Sequence, residues 1–179
     1  VELFEEKLTS LGLQLSWSHI MSPTLVLQGV YSIEHRRGFQ SNPYRLVPIF
    51  EPGAARPSAT LAERVPEYRT RHAFEGIAIW SLSATTFAHG AYRLYLDDWG
   101  VVSHTARAEL WKVFLQDALR LRLRLRGYNQ SAADFYEQRY EAAAPLRTGD
   151  YRLSMMSTVT GGPRIDLRFL QLAAWGGLA

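Results

Sequence analysis

The chain's hydrophobic and polar positions alternate most strictly over residues 119–126, where leucine and arginine follow one another four times. Read as a strand, this stretch puts Leu119, Leu121, Leu123 and Leu125 on one face and Arg120, Arg122, Arg124 and Arg126 on the other, because side chains alternate with period two. A helix continuing from upstream would align Leu110, Phe114, Ala118, Leu121 and Leu125. It would also bring Arg122 into that apolar stripe and leave Leu123 outside it. A buried, unpaired guanidinium costs several kcal/mol. Pattern therefore outweighs leucine's helix propensity, and a strand is predicted.

The same test applied along the chain predicts a short helix or arm over 2–10 and a strand over 11–20, with Leu13, Leu15 and Trp17 opposing Gln14, Ser16 and Ser18. Further strands are predicted over 24–35, 44–50, 74–83 and 91–96. Pro48 argues for an edge position of the strand over 44–50. Residues 51–66 hold three of the eight prolines and read as a long loop. Ser103 or Thr105 can cap a helix starting near Ala106, whose apolar face would be Leu110, Trp111, Phe114, Leu115 and Ala118. Ser131 to Asp134 has the form of a capping box and predicts a second, shorter helix that Pro145 ends. Two alternating runs around Gly161-Gly162-Pro163 predict a closing hairpin.

These elements sum to a single α+β domain over residues 1–179: mainly antiparallel sheet or a small barrel, one main helix, a short second helix, and an apolar tail over 170–179. Residues 91–128, read as strand, helix, basic strand and glycine, resemble the corresponding passage of single-stranded DNA-binding proteins of the oligonucleotide/oligosaccharide-binding (OB) fold. The loop at 51–66 and the second helix are additions to that pattern. The resemblance implies a small OB-like barrel and a single-stranded nucleic acid as partner.

Composition bounds the choice further. Hydrophobic residues make up 47% and charged residues 21%, as in an ordinary globular protein. No apolar run approaches the roughly 20 residues of a membrane-spanning helix, so no membrane span is expected; the compartment is left open, with a soluble intracellular or organelle-matrix protein as the expectation. There is no cysteine, hence no disulfide, thiolate nucleophile or cysteine-held metal. The net charge is +3, and 18 of the 20 basic residues are arginine. Their excess lies in the second half, where residues 101–179 hold 11 basic against 7 acidic side chains.

Arginine favours bidentate phosphate contacts and stacking. Alternate arginines on a strand stand about 6.6–6.8 Å apart, near the phosphate spacing of a stretched single strand. Tyr128 falls on the same face, and Arg93 with Tyr95 share a face of the preceding predicted strand. Basic side chains interleaved with aromatics suit sequence-tolerant single-strand binding. The competing reading pairs these arginines with Asp97, Asp98, Glu137 and Glu141 on a solvated face. The five histidines show no metal-ligand spacing, and no nucleotide-binding or nucleophile motif is present. Asp97-Asp98 reads as a turn with solvated acids, and Trp80 as a core residue. Leu172, Trp175 and Leu178 in the uncharged tail suggest a partner interface. The expectation is a non-enzymatic, cofactor-free DNA- or RNA-binding subunit of a larger assembly; the alternative is a scaffold protein making only protein contacts.

Overall fold

The computed structural model describes residues 6–115 and 118–167. Nine strands follow one another: β1 (Leu8–Ser22), β2 (Leu25–Gly38), β3 (Leu46–Phe50), β4 (Pro57–Ala62), β5 (Tyr68–Ser83), β6 (Thr86–Asp97), β7 (Val102–Phe114), β8 (Leu119–Gln130) and β9 (Met156–Leu167). Seven of them form one antiparallel sheet in the order β1-β2-β5-β6-β7-β8-β9, and β3 pairs with β4 in a separate ribbon. The sheet is an open up-and-down meander, with β1 and β9 at its edges.

The α+β expectation is overturned, as is the small closed barrel: among the described residues there is no α-helix. The main helix predicted from Ala106 is the strand β7. Alanine, arginine, glutamate and leucine favour helices only by tenths of a kcal/mol per residue. Ladders on both sides, from Leu96↔Val102 to Thr86↔Lys112 and from Ser103↔Gln130 to Phe114↔Leu119, outweigh that preference. The capping-box segment after Ser131 forms turns, with Ala133 N–H donating to the Leu153 carbonyl and Asp134 N–H to that of Trp99. The predicted hairpin at Gly161-Gly162-Pro163 is uninterrupted strand, paired residue for residue with Leu125, Arg124 and Leu123. Residues 8–10, assigned to an arm, begin β1, and part of the Pro-rich loop is β4. Pro48 does occupy an edge, since a two-stranded ribbon has nothing else. The tail residues Leu172, Trp175 and Leu178 lie outside the described residues.

The connections are unequal at the two ends of the sheet. At the end where β1 finishes, successive strands are joined by residues 23–24, 84–85 and 115–118. The opposite end carries the segments 39–67 and 131–155, together with the tight turn 98–101. Among the described residues, the buried hydrophobic clusters lie in the long connections and the tight turn, and Ala73 is the one buried hydrophobic residue of the seven-stranded sheet. Val65, Trp99, Val101, Ala133 and Leu153 form one buried cluster; Val47, Ile49 and Tyr140 form another. Gly100 makes the short turn possible: its φ is +80°, and a Cβ there would run into the Asp134 carboxylate.

Candidate functional site

Because paired residues point the same way, the register assigns every side chain of the sheet to a face. One face carries Leu11, Leu13, Leu15 and Trp17 of β1, then Leu27, Tyr31 and Ile33, Phe74 and Trp80, Leu94 and Leu96, Ala106, Ala108 and Leu110, the four leucines of β8, and Val159, Ile165 and Leu167. Its only lysine or arginine residues are Arg37 and Lys112, both near strand ends, and it holds no aspartate or glutamate. No layer among the described residues covers it: Leu11 is 74% exposed, Leu123 57% and Val159 78%. Trp80, expected in a core, is exposed here too.

The opposite face is polar and densely charged. It holds ten arginines (36, 69, 71, 93, 107, 120, 122, 124, 126 and 164) against five acids, Glu34, Glu75, Asp97, Glu109 and Asp166. All the residues proposed from sequence for nucleic-acid binding lie on this face. The row Arg93, Thr105, Tyr128 crosses β6, β7 and β8, and Tyr95 shares the next row with Ser103 and Gln130.

Several of these arginines are engaged within the sheet. Glu109 takes Arg124 at 3.4 Å and Arg122 at 3.8 Å, and Arg122 also lies 4.9 Å from the Trp111 ring centroid. Arg107 is bonded to Glu75. Arg126 sits 5.1 Å over the Tyr128 ring.

Toward the long connections the charges are more deeply buried. The Asp97 side chain is fully buried, and its Oδ2 accepts from Arg69 Nη2 at 2.6 Å and from the Tyr95 hydroxyl at 2.6 Å. Its Oδ1 accepts from the backbone N–H groups of Trp99 and Val101 at 3.0 Å each. The solvated turn expected at Asp97-Asp98 is therefore half wrong: Asp98 is exposed, whereas Asp97 fastens the turn to the sheet. Arg69 also stacks 4.0 Å from the Trp99 ring centroid.

Beside this knot, Arg36, Arg45, Arg69, Arg71, Glu63 and Asp150 line a polar cavity of about 250 Å3 where the long connections fold over the charged face. Arg45 bridges Glu63 at 2.9 Å and Asp150 at 3.1 Å, tying the two connections together.

One of these acids gives the region a pH dependence. For Asp150, burial acts upward, but the bonds from the Arg152 side chain and backbone and the charge of Arg45 together bring it below its usual range. A carboxylate with a depressed folded pKa stabilises the fold above its unfolded value, and that contribution is lost as pH falls through the folded value. The urea midpoint followed by tryptophan fluorescence is thus expected to hold from pH 7 to 5 and to fall below about pH 4. A midpoint unchanged down to pH 3 would contradict this assignment.

A family model described as a protein of unknown function (DUF3570) matches residues 4–177. The chain belongs to this family. Neither a curated protein nor a solved structure matches it.

Proposed function

We propose that the seven-stranded sheet is part of the wall of a membrane-spanning β-barrel, its leucine-rich face against lipid and its arginine-rich face lining the interior. The observation that carries this is the uncovered apolar face. Seven strands at about 4.8 Å span roughly 30 Å, and an apolar surface of that width is well beyond the few hundred Å2 a soluble monomer leaves bare. Each large side chain on it would gain about 1.5–3 kcal/mol on leaving water. No helix among the described residues is long and apolar enough to cross a membrane. Strands cross by a different pattern, about 9–11 residues alternating apolar-out and polar-in. Ala88–Leu96 and Val159–Leu167 each run for nine residues in that manner.

Two further features favour the same conclusion. Transmembrane barrels have short turns at one end and long loops at the other, the asymmetry described above. Barrel strands are also tilted and staggered, which shifts the apolar band along the strand from neighbour to neighbour. The row through Leu125 passes Ala108, Gly90, Ala78 and Leu27 to reach His19. The β8 leucines thus begin one row beyond Trp17, where the β1 run ends, so the band is displaced by its own length in five strand-to-strand steps. A flat soluble sheet has no need of such a drift. The open edges of β1 and β9 would be closed by further strands.

This departs from the expectation of a soluble, nucleic-acid-binding subunit. The face expected from sequence to bind phosphate is the arginine-rich one, but Arg107, Arg122 and Arg124 already have carboxylate partners there. A soluble binder also leaves the opposite face unexplained.

The absence of cysteine makes the test clean. Single cysteines replacing Leu121, Arg122, Leu123 and Arg124, each carrying an environment-sensitive fluorophore, are expected to report alternately apolar and aqueous surroundings in the membrane-reconstituted protein. Quenchers attached to lipid chains should reach only the odd positions. Equal quenching at odd and even positions would end the barrel proposal.

A further inference from the structure

Resting on the barrel reading, we propose that the interior face binds small anionic solutes, carboxylates or phosphate esters, at a cluster formed by Arg93, Arg107 and Arg126. The register brings these three together on neighbouring strands. Arg107 and Arg126 are directly opposed across β7 and β8. Arg93 is paired with Thr105, two residues before Arg107, so it lies diagonally beside that arginine. Like charges facing each other across a ladder destabilise a sheet.

Elsewhere on this face the repulsion is relieved by acids. Arg124 is directly opposite Glu109, and Asp166 pairs with Arg164 at 2.8 Å. In the cluster the compensation is incomplete. Glu75 stands directly opposite Arg93 across β5 and β6, but its ion pair is with Arg107; Arg126 lies over the Tyr128 ring, and the exposed Arg93 makes no ion pair among the described residues. Three guanidinium groups therefore share one carboxylate, with the hydroxyls of Thr105, Thr158 and Thr160 in the same two rows.

A solute carrying two or more negative charges would supply the missing acceptors, since forked guanidinium donors match carboxylate and phosphate oxygens. The ten-to-five excess of arginine over acid on this face attracts such a solute from a distance, because low-dielectric walls focus the field of a charged cleft.

The test uses the reconstituted full protein with pyrophosphate and citrate as probes, titrated calorimetrically at constant ionic strength with chloride as background. Saturable binding is expected. The double variant Arg93→Gln/Arg126→Gln should weaken it about tenfold or more, while Arg37→Gln, on the apolar face, leaves it unchanged. Without solute the double variant is expected to melt no lower than the parent, because repulsion has been removed. Absence of saturable binding, or equal affinity in the double variant, would overturn the site. Lipid-quencher labelling of the same samples separates the two proposals. An alternating pattern without solute binding rejects the anion site alone, and loss of alternation rejects the barrel beneath it.

Discussion

Replacing Asp97 by alanine is expected to cost about 3–5 kcal/mol, the range for removing one partner of a buried ion pair. Its carboxylate has no exposed surface and gathers Arg69, the Tyr95 hydroxyl and two backbone N–H groups. Alanine would leave the Arg69 guanidinium, itself only 12% exposed, without its acid. Asp98→Ala is the contrasting case. Asp98 is exposed and accepts one backbone bond, from Thr70 N–H at 2.8 Å, so its loss should stay near 0.5–1.5 kcal/mol. Equilibrium unfolding in denaturant, with hydrogen exchange at the Trp99 indole as a local probe, distinguishes the two. The Trp99 Nε1–H donates to the Tyr68 carbonyl at 2.7 Å, so its protection reports on the same knot. Similar losses for both variants would mean that Asp97 is an ordinary turn residue.

That turn also shows what the sequence could and could not reveal. Two acids before Trp-Gly are a local turn signal, and the turn is there. Burial of the first acid depends on Arg69, 28 residues away, and on cover from residues 131–155, which no local pattern encodes. The alternation of residues 119–126 was legible because leucine and arginine differ as much as two residues can. In β7 the apolar-face residues include Ala106 and Ala108, too small to mark a face, and Leu110, Trp111 and Phe114 also fit a helical stripe.

The deeper ambiguity concerns what the apolar face meets. An alternating strand looks the same whether its leucines pack on a protein core or on lipid, since both are apolar. The informative quantity was collective: many long alternating runs with too few additional elements to cover them. Once two supposed helices became turns and strand, no second layer remained among the described residues.

Leu123→Arg separates lipid from water by the size of its effect. Leu123 lies between Leu110 and Pro163 in the middle of the uncovered face. If that face meets lipid, an arginine near the bilayer midplane costs about 2–4 kcal/mol. Urea-driven folding into vesicles should then shift by that amount or fail. If the face meets water, a half-exposed leucine exchanged for arginine changes stability by about 0.5 kcal/mol or less and improves solubility. Arg122→Gln, one residue away on the other face, controls for general disruption of β8. It removes the stacking on Trp111 and the long contact to Glu109, but Arg124 remains to pair with that acid. Its cost should remain near 0.5–1 kcal/mol in either setting. A severe loss at Leu123 in vesicles alongside a mild one at Arg122 is the expected pair of results. A mild effect at both would return the leucine face to water and with it withdraw the barrel.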